Sequence, residues 1–380
     1  MKSQALKLAS QGTRLVSASI GDRWMAAIAL GLVMFGAVMV YSASAVLAQT
    51  NFHNQFYFLL RQGFAVVIGL GLLFGVFWLG YTRLNHPVVV YGLLSISAFL
   101  LILVLFLPQT RGTQRFIRFA GLSFQPSEFA KIALIIFLAY LLGRRNDEER
   151  QNLWLTFIPC SLISAILMGL VLGGQDLGTT FIMAVVTAVM VFVAGVPLRY
   201  PLMGAIAAMP IVAFELYRAP YRLARLRAYW DPWKYVRAEG FQVVQSLIAI
   251  GSGGTGGLGL SQGKQKLFYL PEAHTDFIFA VIGEELGLIG AVTVIVLFAI
   301  FAWRGFRAAR LATDSFGSLL AIGLTVMLVA QAFFNMSVVL GLVPNKGIPL
   351  PFISYGGTSM MMSLLAVGLI LSVSQQGKQS

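Results

Sequence analysis

Cysteine is nearly absent: Cys160 is the single thiol in 380 residues and lies inside an apolar run, so an internal disulfide framework and a CxxC metal or redox site are both excluded. It reads as a small packing residue. Charge is scarce as well, 11% against about a quarter in soluble domains, and acids number 14 against 27 bases. Also missing are an HExxH zinc signature, a nucleophile elbow, the GxxxxGK[ST] spacing of a phosphate loop and the alternating strands of an outer-membrane barrel. Those absences remove most soluble enzyme classes and leave a helical membrane protein.

Apolar residues fill the space, at 58% of the chain. Runs of about 20 residues, each able at about 1.5 Å per residue to cross a hydrocarbon core of about 30 Å, predict ten spans. They cover 24–47, 60–80, 87–107, 126–143, 153–172, 178–196, 200–217, 277–303, 317–340 and 358–374. The first run is too long for a secretory h-region and lacks a cleavage site, so it is expected to stay as a signal anchor. An even number of spans puts both termini on one side. With that side cytoplasmic, thirteen lysines and arginines between Lys2 and Lys378 lie inside, while the short outer segments hold five: Arg61, Arg111, Arg115, Arg118 and Lys346. This follows the positive-inside rule, and it makes the net charge of +13 a matter of topology rather than of nucleic-acid binding. The expected organisation is one membrane domain over 1–380, with a cytoplasmic tail at 1–23 and a large extracytoplasmic loop at 218–276.

That loop carries cations on the side the rule disfavours. Arg218, Arg222 and Arg225 share one helical face beside Tyr221, Tyr229, Trp230 and Trp233, as in an interfacial helix. Either they anchor the chain to lipid headgroups or they capture an anionic lipid. Residues 251–264, GSGGTGGLGLSQGK, contain GxGxxG without a βαβ setting and read as a loop closing over a substrate or as a turn-rich linker.

The chemistry-bearing residues gather around 267–290, LFYLPEAHTDFIFAVIGEELGLIG. Glu272, His274 and Asp276 precede an apolar helix holding Glu284 and Glu285, and such charges persist in membranes mainly where they line a cavity or do work. Asp276 is an N-cap or a base facing the outer cations. Glu128 and Lys131, at i and i+3, form an interhelical ion pair or a polar patch that orients substrate. Asp176 sits in a tight outer turn, and Gln331 with Asn335, one turn apart, suit interhelical hydrogen bonding.

Six stretches closely resemble the SEDS family of bacterial membrane glycosyltransferases over nearly the whole chain. They are YSAS at 41–44, FQPSEFAK at 124–131, QDLGTT at 175–180, FQVVQSLIAIGSGG at 241–254, LPEAHTDFIFAVIGEELG at 270–287 and PLPFISYGG at 349–357. VPNKGIPLPFISYGG and QAFFNMSVV favour the division branch over the elongation branch, although Asn345 stands where division members often have Thr. The resemblance implies a ten-helix all-α fold and polymerisation of lipid II on the periplasmic face of the inner membrane, at the septum. It implies that Asp276 is the essential acid; beside that acid, Arg115, Glu128, Lys131, Asp176, Arg218, Arg222, Arg225, His274, Lys346 and Ser354 are expected at the substrate. The implied partners are a monofunctional class B penicillin-binding protein of the FtsI type and other division proteins. The cofactor stays open, a divalent cation such as Mg2+ or Mn2+ being one aid to a pyrophosphate leaving group. A lipid II flippase is the rival; it predicts broken helices and paired halves, neither of which is evident in the sequence.

Overall fold

In the computed structural model, which describes residues 21–108, 114–119, 122–218 and 220–376, the chain is almost wholly helical. The helices longer than two turns, in chain order, are α1 (Arg23–Phe52), α2 (Tyr57–Leu79), α3 (Pro87–Leu105), α4 (Pro126–Gly143), α5 (Ile158–Gly173), α6 (Leu177–Val193), α7 (Arg199–Arg218), α8 (Pro220–Trp230), α9 (Phe241–Gly253), α10 (Ile278–Arg310), α11 (Ser315–Val339) and α12 (Gly357–Gln376). Each of the ten expected spans corresponds to one of these helices. Eight, α5 together with the preceding turn at 153–157 among them, are long and apolar enough to cross a membrane. Among the described residues, the strands are β1 (Ile117–Phe119) and β2 (Leu122–Phe124), an antiparallel hairpin pairing Arg118 with Ser123 just before α4.

Burial sorts the helices into a core and a lipid-facing ring. The apolar stretches of α4, α11 and α12 are 83%, 72% and 83% buried, whereas those of α2, α3 and α10 are only 22%, 28% and 22% buried. Large apolar side chains such as Trp78, Phe99 and Ile289 therefore point outward, as a hydrocarbon solvent permits. Two ends are distinguishable. At one, Asp22 caps α1 through the Met25 amide and pairs with Arg304 at 2.6 Å, and Tyr81 donates to Asp314, the cap of α11. At the other lie the hairpin, the start of α4 and the segment before α10.

The expected loop at 218–276 contains two helices and re-enters the bundle. α9 starts near the C-terminus of α11, where Asn345 donates to Gln242, and ends with Gly253 pressed on the backbone of Gly283. The glycine-rich run then crosses α10 where that helix breaks. Gly287 has φ 65°, ψ −161°, and a side chain there would overlap the backbone of Thr255 and Gly257. Leu258 and Gly259 donate to the carbonyls of Glu284 and Glu285, while Gly254 and Thr255 accept from Leu288 and Ile289. The broken helix thus finds its lost partners in the loop, as apolar surroundings demand. The expectation of unbroken helices is corrected here, and the run neither lines the site nor closes over it.

Glu284 and Glu285, expected to mark the chemical centre, hold this segment in place. Glu285, fully buried, meets Lys266 Nζ at 2.6 Å and accepts from Ser42 and the Ser261 amide; Glu284 accepts from the amides of Lys264 and Gln265. Their charges are compensated internally.

Candidate active site

A cavity of about 1210 Å³ opens at the end where α4 and α10 begin. Residues from α1, α2, the hairpin, α4, α6, the 271–276 segment and the 347–361 stretch line it, and its polar members include Arg61, Arg115, Arg118, Glu128, Glu272 and Asp276.

Asp276 stands one residue before the Phe277 that precedes α10, and it does not cap that helix through its side chain. Two features fix it. Asn335 Nδ2 donates to the Asp276 carbonyl at 2.7 Å and to the Ile348 carbonyl at 2.7 Å, and the carboxylate rests on Gly347, where any Cβ would overlap it. Burial, and next the charge of Glu272, push the Asp276 carboxyl up to about 7; Arg115 and Arg225 oppose the shift and Asp176 adds to it. A carboxyl so placed exchanges a proton near neutrality, as general bases do.

Glu128 and Lys131 pair at 2.9 Å, almost fully buried. Lys131 Nζ also meets Gln331 Oε1 at 2.7 Å, and Gln331 Nε2 donates to the Pro349 carbonyl at 3.0 Å. Glu128 reaches the cavity wall, but Lys131 does not line it. Its ammonium is engaged with Glu128 and with Gln331, which holds the segment beside Asp276.

Asp176 caps α6 and is saturated. Its Oδ1 accepts from the Thr179 amide, and its Oδ2 from the side chains of Thr179, Ser127 and Gln125 at 2.8, 3.0 and 2.9 Å. Burial alone would raise its carboxyl; Arg115 and these hydrogen bonds outweigh that and hold it below the ordinary value. Arg115 donates to the carbonyls of Gly174 and Gln175, so one guanidinium orders the turn and faces the cavity.

Ser354, expected at the substrate, fastens the Thr275 and Leu350 backbones together. Its hydroxyl donates to the Thr275 carbonyl at 2.5 Å and accepts from the Leu350 amide at 2.8 Å, and it does not line the cavity. His274 is buried, 4.6 Å from the Phe58 ring, and its carbonyl accepts from Tyr355. Lys346 is half-buried next to Gly347 and off the cavity wall. Arg225 is close enough to bias Asp276 without lining the cavity. Arg111 and the side chains of Arg218 and Arg222 lie outside the described residues.

Arg61 and Gln62 escaped the sequence reading, where Arg61 figured only in the topology tally. Gln62 clips the turn before α12, donating to the Ser354 carbonyl and accepting from the Gly356 amide at 3.1 and 3.2 Å. Arg61 stacks on Tyr57 at 4.6 Å and faces the cavity. The available signal was two adjacent polar residues near the start of an apolar helix. Among the described residues no three His, Cys, Asp or Glu side chains gather as a metal cage.

Comparison with known proteins fits this arrangement. A family profile described as Cell cycle protein, covering FtsW, RodA and SpoVE, matches residues 22–379. The chain is 44% identical over 355 residues to the probable peptidoglycan glycosyltransferase FtsW of Geobacter metallireducens (strain ATCC 53774 / DSM 7210 / GS-15), spanning 92% of this chain and 93% of that one. It is 40% identical to the stage V sporulation protein E of Bacillus subtilis (strain 168), over 94% and 98% of the two chains. Among solved structures it resembles a chain of a peptidoglycan synthase complex described for its coordination of polymerization and crosslinking, with TM-score 0.78, 31% identity and coverage of 95% and 100%. Thermus thermophilus RodA follows with TM-score 0.70 and 28% identity over 96% and 99%.

Proposed function

The chain belongs to the FtsW/RodA/SpoVE family of cell cycle proteins, and from that premise we propose how it works as a peptidoglycan glycosyltransferase that polymerises lipid II in division. The cavity lies on the extracytoplasmic face of the inner membrane, at the septum, and a class B penicillin-binding protein crosslinks the strand made there. The observation that carries the catalytic assignment is the Asp276 carboxylate, raised towards neutrality on a wall shared with arginines.

Asp276 takes the proton from the 4-hydroxyl of the acceptor GlcNAc. That oxygen bonds to the anomeric carbon of the donor MurNAc as the bond to undecaprenyl pyrophosphate breaks, the leaving group keeping the electron pair. An α-linked donor yields a β-1,4 product, so one base suffices and no glycosyl-enzyme is needed. Arg115, whose charge bears on Asp276, meets the negative charge developing on the leaving pyrophosphate. A divalent cation bound with the pyrophosphate would supply added positive charge, and Asp276 and Glu272 would be the cavity carboxylates to hold it.

The break at Gly287 is the one feature that favours a flippase. Against it, Glu284 and Glu285 are locked by loop amides, Ser42 and Lys266 and offer no polar path. Purified protein with its partner and fluorescent lipid II decides between them. Polymer that lysozyme digests supports the enzyme, whereas translocation without polymer overturns it.

A further inference from the structure

The glycosyl acceptor poses a problem that a single basic site does not solve. Both substrates are lipid-linked diphosphates, but they present that group at different places. In the donor the diphosphate sits on the reacting carbon, so it must lie beside Asp276. In the acceptor the reacting hydroxyl is at the far end of the disaccharide, so its diphosphate lies a disaccharide's length away.

The cavity carries cations in two settings. Arg115, on the hairpin side, bears on Asp276 directly. Arg61 belongs to another wall, one turn into α2, where it stacks on Tyr57 and hydrogen-bonds the Tyr355 side chain. Tyr355 in turn packs on Phe58 and on His274, two residues from Asp276, so Arg61 is offset from the base by this layer of rings. Below Arg61, at i+3, i+4 and i+7, Phe64, Ala65 and Ile68 line the same cavity. One helix face thus offers a guanidinium at headgroup level and an apolar track beneath it, which is the profile of a diphosphate followed by a polyprenyl chain.

We infer that Arg61 grips the diphosphate of the acceptor glycolipid, with its lipid running down α2 along Phe64 and Ile68, while Arg115 serves the departing diphosphate of the donor. This assignment rests on the glycosyltransferase reading above. The Tyr57 ring holds the guanidinium plane, so its paired donors meet two phosphate oxygens at once, a geometry that lysine does not reproduce.

Two glycolipid analogues separate the roles in purified full-length protein with its partner. A donor-only analogue is O-methylated at its terminal 4-position, and an acceptor-only analogue has methylene in place of the anomeric oxygen, so the pair couples once. Arg61→Lys is expected to raise KM for the acceptor about tenfold or more while donor KM moves less than twofold. With wild-type protein, an acceptor bearing a monophosphate should show a comparable rise in KM, and Arg61→Lys should add little to it. That second measurement needs no substitution and so survives a variant that folds poorly. Equal rises in both KM values, an unchanged acceptor KM, or indifference of the wild type to the missing phosphate would each overturn the inference. Failure of the glycosyltransferase reading itself looks different: wild-type protein would make no product from natural lipid II.

Discussion

Asn335 ties Asp276 to the segment that carries Ile348. One side-chain amide donates at 2.7 Å to the carbonyl of Asp276 and at 2.7 Å to that of Ile348, two residues 72 positions apart that α11 thereby clamps together. Asn335→Asp keeps the size but turns a double donor into an acceptor aimed at two carbonyl oxygens. It should cut kcat by about tenfold or more and change KM little, because the base loses position while the cavity arginines remain. Steady-state kinetics on lipid II checks this, and a KM effect alone would contradict it.

Asp276 sets the pH dependence with opposite signs for rate and stability. A base works deprotonated, so the rate at saturating substrate should rise with pH through about 7 and level off above it, and Asp276→Asn should abolish polymerisation. Between the ordinary value of 3.8 and about 7 the folded chain binds more protons than the unfolded one, so this group's contribution to stability falls as pH rises. Asp276→Asn should therefore melt above wild type at pH 8 and lose that advantage below pH 4. Thermal melts in detergent at the two pH values are the measurement.

Gly347 gives a sharper test of placement. The three atoms that a methyl group there would meet first all belong to the Asp276 carboxylate, so Gly347→Ala should displace the base without emptying the core. A shift of about 1 Å costs on the order of a hundredfold in rate. The expected result is that loss in kcat with a melting temperature close to wild type.

Glu128, Lys131 and Gln331 should behave as one unit. Lys131→Met leaves the Glu128 charge buried without its partner, a loss of about 3–5 kcal/mol. Lys131→Met combined with Glu128→Gln should recover much of that stability, giving a non-additive cycle. Activity should stay low in the double variant, because Gln331 no longer has Lys131 to hold it against Pro349. Additive melting shifts would argue against the pairing.

The sequence made some of this legible and hid the rest for physical reasons. Hydrophobic run length located every membrane helix within a few residues, since the hydrocarbon core sets that length. Helical spacing found the Glu128–Lys131 pair, and the FQPSEFAK and HTDF stretches marked two walls of the cavity. Composition did not show that Glu284 and Glu285 are satisfied by Lys266, Ser42 and loop amides, because those partners come from distant parts of the chain. The break at Gly287 was equally hidden: a glycine in an apolar run looks the same whether the helix passes through it or stops. Ser354 and Lys131 read as substrate contacts since their residue types suit that work, and the hydrogen bonds each makes within the fold were not visible in the sequence.

The sealed break in α10 constrains how the chain enters the bilayer. Until residues 254–259 arrive, the carbonyls of Glu284 and Glu285 and the amides of Leu288 and Ile289 have no partners, and each orphan in hydrocarbon costs several kcal/mol. Those residues precede α10 in synthesis, so α9 and its loop must wait at the membrane boundary for the helix that completes them. The span from Phe241 to Arg310 thus forms one interdependent unit, and the base at Asp276 gains its remaining neighbours, Asn335 and Gly347, only from the chain that follows it.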